Sequence, residues 1–162
     1  MANLVYAAPG SVVSFKASGG TVAFTPTSLA SGSLRVSAQY DRGSGSKPGR
    51  YVWRLTTKLA SVAAGAVVSV YLSTSDGTTQ DGNLGASDAT NSNAEKIRNL
   101  QWLGNVTCDK ASDAAEPWNG SGVCEIFDRY VSVVLYNIST VALSSTAGDH
   151  IITLTPVPDE IQ

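Results

Sequence analysis

Between residues 50 and 74 the side chains alternate in character at every step. Tyr51, Trp53, Leu55 and Leu59 fall on one face of an extended chain, and Val52, Arg54, Thr56 and Lys58 fall on the other. A link rich in Ala and Gly over 60–66 follows, and the alternation resumes. Val68, Val70 and Leu72 then oppose Ser69, Tyr71 and Ser73. A strand buries one side of such a pattern and a helix does not. Two alternating runs joined by a short link predict a β-hairpin. A lone hairpin is marginal in water, so the rest of the chain must supply more sheet.

It has the residues to do so. The remaining apolar runs are short, β-branched and separated by Gly, Ser and Pro. Short strands are expected at 12–16 and 22–25, around the turn Ser18-Gly19-Gly20. Leu34, Val36, Ala38 and Tyr40 alternate with Arg35, Ser37 and Gln39, which predicts a half-buried strand. Leu100, Trp102 and Val106 share a face of a strand over 100–107, and a strand is expected at 123–127. Over 129–136, Val131, Val133 and Leu135 oppose Tyr130, Val134 and Tyr136. Apolar groups on both faces predict a central strand covered on both sides. The last strand is expected at 150–155.

Residues 41–49 read as a mobile, exposed connector, because glycines and Pro48 interrupt them and no helix follows to cradle a phosphate. Residues 75–93 form the longest irregular stretch, with turn dipeptides at Asp76-Gly77 and Asp81-Gly82 and a helical turn expected at 94–99. A loop of that length tends to carry function or a partner contact. The expected fold is all-β: a two-sheet antiparallel sandwich of jelly-roll type with extended terminal arms. Residues 1–10 are read as the N-terminal arm, 11–155 as the sandwich and 156–162 as an extended C-terminal tail.

Composition narrows the function. At 162 residues and 43% hydrophobic the chain can bury one core without staples. Charged residues are only 15% and the net charge is -2, with no clustered cations, so nucleic-acid binding is not expected. No apolar run reaches a membrane span, and residues 1–9 lack the basic start and apolar core of a signal peptide.

Reactive chemistry finds little footing. His150 is the single histidine, and on a strand its neighbour Asp149 points to the opposite face. A general base needs an orienting acid and a nucleophile within reach. Asp76, Asp81 and Asp88 do not follow the calcium-loop spacing. A non-enzymatic chain without metal or cofactor is expected. Cys108 and Cys124 bracket a polar loop and fit either a disulfide, worth roughly 3 kcal/mol in the chain-entropy model, or two buried thiols. Sequons stand at Asn105, Asn119 and Asn137, and without export none is expected to carry glycan. Trp53 and Trp102 are expected in the core. Trp118, after Pro117 in a polar loop, is the candidate exposed aromatic contact, able to stack on a sugar, plug a protein pocket or fold over its own sheet edge.

The start Met-Ala-Asn-Leu-Val-Tyr-Ala-Ala, the segment Arg-Tyr-Val-Trp-Arg-Leu-Thr-Thr-Lys-Leu from position 50 and Asp-His-Ile-Ile-Thr-Leu-Thr-Pro-Val-Pro from position 149 resemble stretches of tailed-bacteriophage virion proteins. Within that group the chain is most similar in general character to capsid decoration, or cementing, proteins. The resemblance implies a jelly-roll protein made in the host cytoplasm and placed on the capsid exterior of the virion. Its partners would be the major capsid protein and further copies of itself, a trimer in preference to a dimer. A carbohydrate-binding or receptor-binding module of the particle is the alternative, with a glycan as ligand. In either case an extended arm can add a strand to a neighbour's sheet. Leu4, Tyr6, Val157 and Ile161 are accordingly the candidate subunit or capsid contacts.

Overall fold

The computed structural model describes residues 5–6, 10–45, 47–61, 63–107, 116–157 and 160–161. In chain order the strands are β1 (Val5–Tyr6), β2 (Val13–Lys16), β3 (Val22–Ala23), β4 (Leu34–Val36), β5 (Tyr40–Asp41), β6 (Arg50–Thr57) and β7 (Val67–Ser75). There follow β8 (Ala89–Asn91), β9 (Gln101–Thr107), β10 (Trp118–Glu125), β11 (Tyr130–Asn137), β12 (Ile151–Val157) and β13 (Glu160–Ile161). They form two main sheets. The front sheet has five strands in the order β10-β6-β12-β2-β3. The back sheet has six, in the order β8-β4-β11-β7-β9, with β5 also pairing β11. All pairs are antiparallel except β2 with β3. The chain is therefore an all-β, two-sheet sandwich. No helix among the described residues is long and apolar enough to cross a membrane.

The core lies between the sheets. Phe15, Tyr51, Trp53, Leu55, Ile152 and Leu154 of the front sheet face Val68, Val70, Leu72, Val131, Val133 and Leu135 of the back sheet. Each such side chain is worth roughly 1.5–3 kcal/mol on burial. The alternation read from the sequence thus sets which side of each strand is buried.

It does not set the partner. The expected hairpin is absent: β6 lies in the front sheet and β7 in the back one. Their link crosses the end of the sandwich, with Leu59 buried and bridged to Leu143. Side by side in one sheet, the two apolar faces would still need a third layer. Face to face across the interior, they cover each other.

Two irregularities shape the back sheet. The strand expected over 34–40 is broken into β4 and β5, because the three residues between Val36 and Tyr40 oppose only two on β11, between Val134 and Val131. The extra residue forms a bulge, and buried Ser37 repairs the ladder by accepting the Val133 N–H at 3.0 Å. The second slip lies on β9, where Val70 pairs Gly104 but Tyr71 pairs Trp102. Strand β11 is the covered central strand that its sequence predicts, flanked by β7 on one side and β4 and β5 on the other.

The outer face of the back sheet has its own small core. Leu34, Val36 and Val134 are roofed by Leu84, Leu100 and Ile97 from residues 76–100, with Ala89 of β8 beside Val36 in the sheet. Two 3-10 turns in this segment, Asp81–Asn83 and Ala94–Asn99, pack together. Gly82 makes that possible: its φ is 69°, and a Cβ there would sit 2.7 Å from the Lys96 carbonyl. Asn93 caps the second turn by accepting the Glu95 N–H at 3.0 Å. The helical turn expected at 94–99 is present, in 3-10 form.

Candidate functional site

Three surfaces stand apart from the core: the front face, the rim around Trp102 and a polar cleft beside Arg42.

The front face is built by register. Its outward rows read Glu125–Arg50–Val157, Val123–Val52–Thr155, Ser121–Arg54–Thr153–Ser14 and Asn119–Thr56–Ile151. Every residue in these rows is exposed or half-buried. Nothing among the described residues lies over them as residues 76–100 lie over the back sheet. The face carries mostly Ser, Thr, Val and Asn, with Arg54 near its middle beside a cleft of about 300 Å³ lined by Arg54, Thr56, Asn119 and Ser121. Val157, a candidate contact, closes one row opposite Arg50, because β12 continues through Pro156.

The chain ends meet each other. Strand β1 pairs β13, with Val5 opposite Ile161 and Tyr6 opposite Glu160. Tyr6 and Ile161 therefore sit in one short ladder, while Leu4 lies outside the described residues.

Trp102 departs from the role expected of it, and Trp118 takes the last of its three expected roles, folded over its own sheet edge. Trp118 is not on an exposed loop: it opens β10, opposite Thr57, and packs half-buried against the main core. Its ladder with β6 holds it there. Trp102 is not core: it is 58% exposed, its indole N–H reaching Asn105 Oδ1 at 3.3 Å. The bulge on β9 explains this. Val106 and Gly104 face inward opposite Val68 and Val70, and one extra residue then turns Trp102 outward beside Tyr71. Gly104 within the strand pattern was the available signal for a bulge. Trp53 behaves as expected, 2% exposed in a slot made by Gly104, Gly120 and Gly122, where a Cβ would lie 3.0, 3.6 and 2.7 Å from the indole. Near the start of the covering segment, a second cleft of about 370 Å³ is lined by Gln80, Asn83, Asn93 and Asn99, with Glu95 and Lys96.

The cleft beside Arg42 lies between the 42–47 loop and the 126–129 turn, with a volume of about 240 Å³. The connector expected to be mobile and exposed is anchored here. Arg42 is 7% exposed. It donates from Nε to Tyr51 Oη at 3.1 Å, from Nη1 to the Asp128 carbonyl at 2.6 Å and from Nη2 to the Pro48 carbonyl at 2.6 Å. Its guanidinium also lies 5.3 Å from the centre of the Tyr51 ring. On the rim, Arg129 forks onto Asp41 at 2.8 and 2.7 Å. Together with the Gly43 N–H and the charge of Lys47, that fork lowers the Asp41 pKa to about 2. Phe127 stands beside the cleft at 80% exposed.

The remaining candidate groups serve the fold. His150 is 0% exposed. Its Nε2–H donates to the Ser144 carbonyl and its Nδ1 accepts from the Thr57 hydroxyl, both at 3.0 Å. Burial lowers its pKa, against the pull of the Ser144 carbonyl and the Asp149 charge, so the ring is neutral and sealed from solvent. Asp76 accepts the N–H groups of Thr78 and Thr79, Asp81 holds Thr74, and Asp88 pairs with Arg35 at 2.6 Å. Each carboxylate closes its own turn or strand contact. Asn137 is buried and bonded to the carbonyls of Leu29 and Val141, whereas Asn105 and Asn119 are exposed. Cys124 is buried, and desolvation pushes its thiol up to about 11. The other half of the candidate disulfide, Cys108, lies outside the described residues.

Compared with models of protein families and with curated protein sequences, the chain matches none.

Proposed function

We propose that the protein is a non-enzymatic structural component of a phage particle, a jelly roll that binds the outer surface of the capsid and cements neighbouring capsomers. The longer strands alternate between sheets except where β9 returns beside β7, and β2-β12-β6-β10 faces β4-β11-β7-β9. Two nested Greek keys give that order, which supports the jelly-roll reading. The observation that carries the function is the front face: an uncovered, weakly charged sheet surface with its hydroxyl and methyl groups set out in rows. Such a face can adhere to another protein surface along its rows. Many copies binding only the assembled shell stabilise that shell by linkage. Among the described residues β1 and β13 pair at two positions, and an arm held by strand pairing can exchange that partner for a strand on a neighbouring subunit. The major capsid protein and further copies of the chain, a trimer foremost, are the partners. The capsid exterior is the location.

The test is co-sedimentation of the purified chain with phage heads that lack it. Saturable occupancy is expected, falling sharply for Arg54→Glu and Thr153→Arg on the front face and unchanged for Trp102→Ala. Heads that sediment bare, or equal occupancy by the front-face variants, would reject the reading.

A second reading, a carbohydrate- or receptor-binding module of the same particle, is favoured by one feature: the exposed indole of Trp102. Aromatic faces stack on sugar rings. Glycan-array binding abolished by Trp102→Ala, with capsid binding intact, would favour that reading over the first.

A further inference from the structure

We propose that the cleft between the 42–47 loop and the 126–129 turn binds a carboxylate of the glutamate side-chain kind. The argument begins with Arg42. It is a nearly buried cation, and it forms no ion pair among the described residues. A guanidinium has five N–H donors. Three of them go to neutral oxygens, those of Tyr51, Asp128 and Pro48. Two remain, on a group that lines the cleft. A buried charge without a counter-charge is costly, and an anion entering the cleft relieves that cost. The guanidinium is already held by its three hydrogen bonds and the Tyr51 ring, so little ordering entropy is left to lose on binding.

The surrounding charges favour an anion and identify its kind. Arg42 and Lys47 line the cleft against one acidic side chain, Asp128, while Arg129 on its rim is neutralised by Asp41. In a chain of net charge -2 this is a local excess of positive charge. A phosphate nest would need the loop's backbone N–H groups, but that of Gly43 is taken by Asp41 at 2.7 Å. The cleft, of about 240 Å³, has room for an acidic side chain. Phe127, with its ring almost wholly in solvent, offers an apolar wall for the methylenes of a Glu side chain. Phe127 lies past the end of β10, in the turn that follows it, and its ring is exposed there. The inference stands apart from the capsid reading, because it concerns this cleft alone.

The experiment is a titration of the full chain by N-acetyl-glutamate N-methylamide, followed through backbone amide shifts. The neutral glutamine analogue and inorganic phosphate are run as parallel arms. Saturable shifts are expected at Gly43, Gly45 and Asp128 with the glutamate probe and not with the other two. Lys47→Glu, at an exposed position, is expected to weaken binding about tenfold by replacing attraction with repulsion, with the melting temperature unchanged. Phe127→Ala is expected to weaken it less. The proposal is overturned if the glutamate probe produces no saturable shift, if the glutamine analogue or phosphate matches it, or if Lys47→Glu binds as the parent does.

Discussion

The back sheet hides its outer face beneath residues 76–100, whereas the front sheet leaves its outer face bare. The two faces differ in chemistry to match. Leu34, Val36 and Val134 on the back are fully buried under Leu84, Leu100 and Ile97. The corresponding front rows carry Ser14, Thr153, Arg54 and Ser121, and none of these is buried. An antiparallel sheet tolerates either solution, since one face always packs on the core. The lesson is that the covering segment is a third layer with its own apolar contacts, and that the bare face is left for something outside the chain or for water.

The sharpest way to break this comparison is to place a charge on each face. Val134→Asp buries an unpaired carboxylate in the second core and is expected to cost more than about 4 kcal/mol, while Thr153→Asp costs within about 0.5 kcal/mol. Urea midpoints decide it, and similar losses at both sites would erase the distinction. Next in size, Leu84→Ala removes the roof without touching a sheet, at about 2–3 kcal/mol. Amide exchange in this variant is expected to quicken first within 76–100, because the segment is held by fewer apolar contacts than the sandwich. Quickening spread evenly over both sheets would show that the layer is not separable.

A smaller effect comes from the tie between Arg35 and Asp88. Burial alone would raise the Asp88 pKa, but hydrogen bonds from Arg35 and Thr25 outweigh it and leave the carboxyl below its ordinary value. A folded-state pKa below the unfolded one adds stability that is complete above the unfolded value of about 3.9 and is lost as pH falls through the folded value. Asp88→Asn is therefore expected to cost about 1 kcal/mol at pH near 6. The gap to the parent should close on acidification below about pH 4. Unfolding free energies measured against pH check it, and a gap that widened in acid would contradict the assignment. Smallest of all, Trp102→Ala is expected to change stability by no more than about 0.5 kcal/mol despite the size of the side chain, since most of the ring is already in water.

Much of the candidate surface was legible in part. Alternation on β6 was enough to place Val52, Arg54 and Thr56 on the face opposite Tyr51, Trp53 and Leu55. It was not enough to show that their face is uncovered, because cover depends on where a segment distant in sequence settles. The Arg42 cleft was obscured for a related reason. Read locally, Gly, Ser and Pro around Arg42 suggest mobility, yet its hydrogen bonds run to Tyr51 and to the Asp128 carbonyl, the second far along the chain. Trp102 was misplaced by a single inserted residue, and the ladder that holds Trp118 was unanticipated; both depend on a partner strand.

By itself the sequence determined the class of fold and the inward side of most strands, since side-chain alternation is a property of neighbouring residues and survives in any sheet. Only the tertiary structure decided which strands pair, where a bulge reverses the alternation, and which sheet receives the third layer. Those choices rest on burial between residues far apart in the chain, where apolar faces find cover from whichever element the connections bring over them.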